Sequence, residues 1–366
     1  MLMGSCKSLK KVNTVSIRTT KPRKISPEAQ NLYKRLQETT KKGYAFGHQD
    51  ATAYGIGWKN DGTLFKTDVH EITGQHPAVH GFDIGHLELE WEYNLDTVPF
   101  ALIQDQIKKI HQKGGIVTVS WHASNPISGE DSWNRRGKPI KKLLPGRRLH
   151  RTYKTWLATI ASFFNDIKDD QGRPIPIIFR PFHEMNKPWF WWGKGKCSAD
   201  EYKMLWRETV DLLTHEFSVD QLLFAYSPDA FDNREAYLEY YPGDDVVDIL
   251  GMDLYQHWTA KSFSKNLNDG LKVIAQLGKE KQKLYALTES GLEKVRISDW
   301  WTKVIDQQLA HSGITWALFW RNARKSHHFV SYPGHKSATD FMHLAQKDYV
   351  LFLDDIVPIE VSSEAQ

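Results

Sequence analysis

One stretch of the sequence, residues 180–192, combines the side chains needed for acid–base chemistry with a run of aromatic rings. It begins directly after the apolar run 175–179, whose short length and β-branched residues predict a buried strand. The guanidinium of Arg180, the imidazole of His183 and the carboxylate of Glu184 therefore emerge where a strand ends. Three tryptophans follow within eight residues of that carboxylate, at positions 189, 191 and 192. Carboxylates beside aromatic rings are typical of proteins that hold and cut sugar chains.

The second carboxylate that could act with Glu184 is Glu289, which follows the apolar run 284–288. Acetal cleavage requires one carboxylic acid to protonate the departing oxygen and one carboxylate to stabilise or trap the cationic carbon. The pKa values of the two groups must differ, so their surroundings must differ. The aromatic run would desolvate Glu184 and favour its neutral form, whereas Arg180 and Tyr255 could keep Glu289 ionised. The alternative is that each glutamate is an ordinary ion-pair partner; their joint position at two strand ends favours catalysis.

Short apolar runs alternate with helical patterns along the chain. Eight runs are predicted strands, at 44–47, 78–82, 116–120, 175–179, 222–226, 248–252, 284–288 and 314–319. Helices are predicted at 27–40, 97–112, 148–167, 200–215, 262–277 and 298–310, with a C-cap at Gly114-Gly115 and an N-cap at Ser298 or Asp299. This alternation predicts an α/β fold, a single (β/α)8 TIM barrel. The alternative, a two-domain doubly wound sheet, has no Gly-x-Gly-x-x-Gly after a strand to support it.

A barrel of this type carries its functional residues at the carboxyl ends of the strands. The eight predicted strands each deliver a polar or aromatic residue there: His48; Asp83 and His86; Trp121 and His122; Arg180, His183 and Glu184; Tyr226; Asp253 and Tyr255; Glu289; Trp320 and Arg321. We therefore expect the two glutamates to meet at one rim of the barrel.

The charge of the chain is unevenly distributed. The formal net charge is +4, yet residues 1–24 hold seven Lys and Arg and no acidic residue. The rest of the chain therefore carries a net charge of −3, which argues against a nucleic-acid partner. We expect 1–24 to be a basic N-terminal tail or linker and 25–366 to be one catalytic domain. No run approaches the roughly 20 apolar residues of a membrane span.

The two cysteines, Cys6 and Cys197, give no disulfide framework. The stretch 3–6, Met-Gly-Ser-Cys, resembles the end of a bacterial lipoprotein signal, in which the cysteine is acylated. Only five residues precede Cys6, too few for the apolar region of a signal peptide. Either the signal has been removed from this sequence or the match is accidental. We expect membrane contact only through a lipid anchor at Cys6.

Sixteen histidines invite a metal-site interpretation. Four of them lie close together in sequence: His70, His76, His80 and His86. They include no helical His-x-x-x-His pair with a nearby Glu, and Pro77 interrupts the stretch. The sequence also shows no phosphate-binding glycine loop, no Gly-x-Ser-x-Gly motif and no Cys–His nucleophile pair. We therefore expect neither a metal nor an organic cofactor.

The fourteen tryptophans exceed ordinary globular usage. Eight lie in loop or strand-end contexts, where their rings could pack on sugar faces: Trp58, Trp91, Trp121, Trp133, Trp189, Trp192, Trp258 and Trp320. Three on predicted helices are expected to be core residues: Trp156, Trp206 and Trp300.

Over roughly residues 28–350, the chain resembles glycoside hydrolase family 26, whose best-known members are endo-β-1,4-mannanases. The resemblance rests on three segments and on two tryptophans that follow the second segment. The segments are 46–50 (Phe-Gly-His-Gln-Asp), 180–186 (Arg-Pro-Phe-His-Glu-Met-Asn) and 288–291 (Thr-Glu-Ser-Gly), and the tryptophans are Trp189 and Trp192.

The resemblance implies a retaining enzyme that works by double displacement, with Glu184 as acid/base and Glu289 as nucleophile. It places His183 beside the sugar 2-hydroxyl and makes Trp189 and Trp320 the walls of the subsite that holds the reacting sugar. His122 and Tyr255 match positions that orient the 2-hydroxyl side and the nucleophile. Arg180 and Trp192 complete the expected substrate-binding set.

The resemblance also implies a substrate and a location. We expect β-mannan or manno-oligosaccharides to be hydrolysed by a monomer outside the cytoplasm, in the periplasm, at the cell surface or secreted. Two alternatives remain: a β-1,3-xylanase or mixed-linkage glucanase of the same family, and a non-catalytic glycan-binding barrel. The long connection 123–146 after the third strand could narrow one end of the cleft and favour short products such as mannobiose, or it could be a surface excursion.

Overall fold

The computed structural model describes residues 22–356. The expected lipid attachment at Cys6 and most of the predicted tail lie outside the described residues. The last two residues of that predicted tail are already attached to the barrel. Arg23 forms an ion pair with Asp248 at 2.5 Å, and Lys24 forms one with Asp220 at 3.2 Å.

Eight parallel strands form a closed barrel, in agreement with the predicted (β/α)8 fold. In chain order they are β1 Tyr44–Gln49, β2 Val79–Asp83, β3 Ile116–Trp121, β4 Ile177–Pro181, β5 Leu222–Tyr226, β6 Ile249–Tyr255, β7 Leu284–Gly291 and β8 Trp316–Phe319. Each strand pairs with its sequence neighbours, and the barrel closes where β1 pairs with β8, with Ala45 opposite Trp316. A two-residue strand, Val350–Leu351, adds to β1, and a small hairpin joins Tyr54–Gly55 to Trp58–Lys59.

Helices surround the strands. They are α1 Pro27–Lys42, α2 Asp68–Thr73, α3 Phe100–Gln112, α4 Pro139–Leu143, α5 His150–Asn165, α6 Ala199–Asp211, α7 Arg234–Leu238, α8 Ala260–Lys281, α9 Asp306–Leu309 and α10 Ala338–Ala345. Two π-helical turns, Leu212–Glu216 and Trp301–Ile305, extend α6 and precede α9. No described helix is both long and apolar enough to cross a membrane.

Two apolar clusters hold the barrel together. The smaller cluster contains residues from all eight strands, such as Ala45, Ile178 and Ala286, together with Leu32 and Leu36 of α1. Helix α1 therefore closes the amino-terminal end of the barrel. The larger cluster packs the opposite face of the strands against the surrounding helices. The end of the barrel opposite α1 is the one at which the strands deliver their polar residues.

The predicted strands are all present, with ends shifted by at most three residues. The cap after α3 is confirmed: Gly114 has φ +81°, and the Gly115 N–H donates to the Ile110 carbonyl at 2.8 Å. The N-cap predicted at Ser298 or Asp299 is wrong. The backbone N–H groups of Trp301 and Thr302 donate instead to the Asp340 carboxylate of α10, a partner distant in sequence.

Two buried histidines make the barrel sensitive to acid. His48 of β1 and His80 of β2 are paired across the two strands, and both side chains are buried. Burial lowers the pKa of each to about 3. Both imidazoles are therefore neutral in the folded protein at pH values where an unfolded histidine, with a pKa near 6.5, takes up a proton.

The free energy of unfolding should therefore fall as the pH drops from about 6.5 towards 3, because the unfolded state binds more protons there. Each histidine contributes at most about 1.4 kcal/mol per pH unit. Denaturant unfolding at pH 7, 5.5 and 4.5 measures the slope, and a His80→Gln variant should have a shallower one. The exposed His311 serves as the control position, since His311→Gln should leave the slope unchanged. Equal slopes for His80→Gln and the wild type would contradict this assignment.

Candidate active site

The carboxyl ends of five of the eight strands, β2, β3, β4, β6 and β7, place their polar side chains within one region. Strand β4 carries Arg180, with His183 and Glu184 directly after it. Strand β6 carries Asp253 and Tyr255, and β7 carries Glu289. His122 follows β3 and bonds to Asp83 at the end of β2. Of the residues predicted for this rim, Arg180, His183, Glu184, Glu289 and His122 are buried.

Both oxygens of the Glu289 carboxylate are occupied by hydrogen-bond donors. The hydroxyl of Tyr255 donates to Oε1 at 2.7 Å. The guanidinium of Arg180 donates to Oε2 in a buried ion pair. A cation and a hydroxyl together favour the ionised form of a carboxylate and fix its orientation. Glu289 is therefore held in one orientation by a cation and a hydroxyl.

Arg180 also bonds to a second carboxylate. Its Nη1 contacts Asp253 Oδ2 at 2.8 Å, while the hydroxyl of Thr288 donates to Asp253 Oδ1 at 2.7 Å. Burial works against a charged guanidinium, but Asp253 and Glu289 together raise the pKa of Arg180 above its ordinary value. Sequence reasoning placed Asp253 at the rim without assigning it to the site. Its register opposite Glu289 on the neighbouring strand was the missing signal.

Glu184 lies in different surroundings. Its Oε2 accepts a hydrogen bond from the indole Nε1 of Trp189 at 2.6 Å, which is a neutral donor. Burial raises the pKa of Glu184 well above its usual range, and the nearby charge of Glu289 raises it further. Glu184 therefore favours its protonated form. The two glutamates of the site thus have different partners, a cation and a hydroxyl for Glu289 and a neutral indole for Glu184.

The backbone that carries Glu184 is strained. Phe182 and Glu184 have φ values of +49° and +55°, in the left-handed region that non-glycine residues rarely adopt. The Glu184 N–H donates to the Ser227 carbonyl at 2.8 Å, and Tyr202 donates its hydroxyl to the Phe182 carbonyl at 2.9 Å. These bonds hold the turn that directs the carboxylate at the rim.

His122 and His183 meet edge to face, with ring centroids 4.6 Å apart. Burial alone would lower the pKa of His122, but Asp83, 2.7 Å from Nδ1, reverses this effect and the pKa is raised. Burial lowers the pKa of His183 well below its ordinary value, and Arg180 lowers it further. His183 is therefore a neutral imidazole, able to accept as well as donate a hydrogen bond.

Two of the predicted substrate-binding residues have no surface to offer a sugar. Trp192 is fully buried, and its Nε1 donates to the His183 carbonyl at 2.8 Å, so the prediction of direct substrate contact is corrected to support of His183. Arg180 is 2% exposed and acts on Glu289 and Asp253. The sequence predicted the contact of Arg180 with Glu289, but not its bond to Asp253 or the bond of Trp192 to the His183 carbonyl.

The tryptophans divide between core and surface. Trp121 is fully buried and bonds to Glu88, which corrects its predicted role on a sugar face, whereas the core positions of Trp156, Trp206 and Trp300 are confirmed. Trp189 and Trp320 are partly exposed. Trp133 is 47% exposed and stacks on His122, with centroids 5.3 Å apart. The loop after β3 therefore reaches the site.

The four clustered histidines do not converge on one point. His70 and His76 stack on each other at 4.2 Å, His80 is buried on β2, and His86 packs against Trp91. Within residues 22–356, no group of three or more His, Cys, Asp or Glu side chains is arranged to hold a metal ion. The rim holds instead two buried glutamates in different surroundings, Glu184 and Glu289.

A family model described as "Glycosyl hydrolase family 26" matches residues 22–325. The chain belongs to glycosyl hydrolase family 26. A mannan endo-1,4-beta-mannosidase of Bifidobacterium adolescentis is 38% identical over 275 residues, covering 72% of this chain and 27% of that protein. One from Bacillus subtilis strain 168 is 30% identical over 236 residues, covering 61% of this chain and 60% of that protein. This family 26 chain thus spans well under two thirds of the length of these curated relatives.

Solved structures extend the similarity to the whole fold. A family 26 beta-mannanase from Bacteroides ovatus aligns with a TM-score of 0.88 and 39% identity, covering 92% of this chain and 98% of that one. A modular endo-beta-1,4-mannanase from Cellulomonas fimi aligns with a TM-score of 0.83 and 33% identity, covering 92% and 78%. This chain is therefore a glycoside hydrolase of family 26 with the family's barrel.

Replacing Arg180 with methionine should destabilise the fold. The change leaves Glu289 and Asp253 buried without their cation, and breaking a buried ion pair in this way costs about 3–5 kcal/mol. Urea unfolding at pH 7 measures the loss. Arg173→Met is the matched control, because the side chain of Arg173, which pairs with Asp169, is 51% exposed and its charge is hydrated, so its loss should cost about 1 kcal/mol or less. An Arg180→Met variant within 1 kcal/mol of the control would refute the role of this network.

Proposed function

We propose that this chain is a retaining endo-β-1,4-mannanase. The observation that carries the proposal is the contrast between the two rim glutamates. Glu289 is paired with the cation Arg180 and with Tyr255, whereas Glu184 accepts from the neutral Trp189 and has a raised pKa. Such a contrast supplies a nucleophile and an acid from one residue type.

In the first step, Glu289 attacks the anomeric carbon while Glu184 protonates the glycosidic oxygen. The bond to the leaving sugar breaks, and an ester forms between Glu289 and the remaining glycone. In the second step, Glu184, now a base, takes a proton from water, which displaces Glu289 from the anomeric carbon. Two inversions retain the configuration. Arg180 and Tyr255 position Glu289 throughout, and Trp189 orients Glu184 through its indole N–H.

The remaining predicted contacts surround the reacting sugar. Neutral His183 lies where it can bond to the 2-hydroxyl, and His122, fixed by Asp83, borders the same space. Trp189 and Trp320 provide the partly exposed rings of the subsite. An axial 2-hydroxyl distinguishes mannose from glucose and xylose, so the histidine pair is the candidate determinant of sugar specificity.

The proposed substrate is a β-1,4-mannan, in line with the printed names of the relatives. One more distant relative, 24% identical over 186 residues, is named Endoglucanase H, from Acetivibrio thermocellus. A glucan is therefore the second candidate substrate. A polymeric substrate also places the proposed site of action outside the cytoplasm, in the periplasm or at the cell surface.

Hydrolysis of a panel of β-1,4-mannan, β-glucan and xylan tests the proposal. The wild type should cleave mannan, Glu184→Gln should lower the rate by about 10²–10⁴-fold, and Glu289→Ala should abolish turnover. Glu293→Gln, an exposed glutamate shortly after β7, is the matched control with full activity. Proton NMR should show the β-anomer as the first product.

Three results would count against the proposal. Cleavage of glucan or xylan but not mannan would keep the mechanism and overturn the substrate. A first product with the α-configuration would overturn retention. Binding of oligosaccharides by the wild type without any hydrolysis would favour the non-catalytic barrel.

The loop 123–146 is the proposed determinant of product length. Trp133 stacks on His122, the Ser132 carbonyl accepts from the Trp191 N–H at 3.1 Å, and Asn125 bonds to the Asn134 carbonyl. These contacts anchor the loop over the β3–β4 side of the rim. A cleft narrowed at that end would release short products such as mannobiose.

Shortening the loop tip at 126–131 should therefore shift the products of mannan digestion from mannobiose towards longer oligosaccharides. Trp133→Ala should produce a smaller shift in the same direction, because the loop remains but loses its stacking contact. Chromatography of digests at equal extents of reaction gives the product ratios. An unchanged ratio in the shortened variant would show that the loop is a surface excursion.

A further inference from the structure

A cationic surface covers the loop after β3, helix α4 and the start of α5. Residues 132–165 contain nine Lys and Arg and no Asp or Glu. Outside this segment and residues 1–24, the chain holds 32 Lys and Arg against 44 Asp and Glu. The near-neutral body of the protein is therefore strongly polarised, with one basic surface on an otherwise acidic molecule. We call this segment the basic face.

The cations of the basic face are directed at solvent and lack counter-charges. Seven are exposed and two are half-buried; the exposed ones are Arg135, Arg136, Lys138, Lys141, Arg147, Arg148 and Arg151. Lys154 forms an ion pair with Glu216 at 2.6 Å, and the nearby His150 bonds to Glu208 at 2.7 Å. The other eight cations have no ion pair with another described residue. Their charge is available to a partner.

The cations around the start of α5 also lie at an electrostatically unfavourable end of that helix. Helix α5 has no acidic residue in its first turn, while Arg147 and Arg148 precede it and Arg151 lies within that turn. The positive end of the helix dipole disfavours cations at this position. A shallow cavity of about 660 Å³ lies beside them, bordered by Arg147, Arg151 and Lys154. An anionic partner would relieve the mutual repulsion of these groups.

The first described residue of the chain, Pro22, lies near the basic face. The Pro22 carbonyl lies 3.4 Å from His215 Nε2, one residue from Glu216, which borders the cavity. The residues before Pro22 include five more cations and no acid: Lys7, Lys10, Lys11, Arg18 and Lys21. The entry of the chain into the barrel and the basic face are therefore neighbours.

We propose that the basic face binds a membrane surface rich in anionic phospholipid. Its cations are spread over a loop, a short helix and the start of a long one, which suits an array of phosphate groups rather than one small anion. Single-stranded nucleic acid would call for exposed aromatic rings among the charges. The exposed aromatic ring of the basic face, Trp133, stacks on His122 of the active site, and within 135–154 the ring is that of Tyr153, which is fully buried. Binding of this kind attaches the enzyme to the bilayer surface through the basic face. It does not depend on the catalytic glutamates.

Sedimentation of the full chain with vesicles tests the proposal. The protein should bind phosphatidylglycerol-containing vesicles at low salt, release as salt rises, and ignore phosphatidylcholine vesicles. Each cation near an anionic bilayer contributes a comparable part of the binding free energy. The triple variant Arg147→Gln/Arg148→Gln/Arg151→Gln should therefore bind the vesicles about tenfold to a hundredfold more weakly. The matched control, Lys261→Gln/Lys272→Gln/Lys279→Gln on exposed positions of α8, removes the same charge and should bind as the wild type does.

Equal losses in the two triple variants would show that net charge, and not the basic face, governs binding. Unchanged binding in the arginine variant would assign the effect to residues before Pro22 and overturn the proposal. A second variant, Lys138→Gln/Lys141→Gln, should weaken binding less than the arginine variant does. Tighter binding to polygalacturonate or single-stranded DNA than to vesicles would also overturn it. Hydrolysis of soluble substrate should remain unchanged in the arginine variant and in the α8 control, whose residues lie outside the loop 123–146, which separates this result from the test of the active site.

Discussion

The buried guanidinium of Arg180 is the interaction on which the rim depends. It joins Asp253 on β6 to Glu289 on β7, while itself lying on β4. Burial raises the pKa of Asp253 well above its usual range, and Arg180 works against that rise. The ion pairs cross the top of the barrel and connect three strand ends. The orientation of Glu289 follows from this one side chain.

The raised pKa of Glu184 follows from the same set of contacts, in which Arg180 pairs with other carboxylates. Arg180 is engaged by Glu289 and Asp253, so the direct partner of Glu184 is the neutral indole of Trp189. Burial and the negative charge of Glu289 then favour the proton on Glu184. Glu289 thus has a cation as its partner and Glu184 a neutral indole, and the strained turn after β4 sets the position of the Glu184 backbone.

A second layer of side chains supports the first. Trp192 bonds to the His183 carbonyl, Asp83 bonds to His122, and Thr288 bonds to Asp253. These partners are themselves buried, and they fix the orientation of His183, His122 and Asp253. The loop carrying Trp133 connects this layer to the outer surface, where its cations begin. The loop after β3 therefore contributes residues both to the active site and to the basic face.

The sequence by itself determined the eight strands, the barrel and the positions of Glu184 and Glu289, because these depend on local apolar runs and on the rule that parallel strands end together. Only the tertiary structure decided which side chains touch. Whether Trp192 faces a sugar or the core, whether Asp253 pairs with Arg180, and whether Asp340 caps a distant helix depend on contacts across strands. Such contacts leave no periodic trace in the chain, since each joins residues separated by many positions.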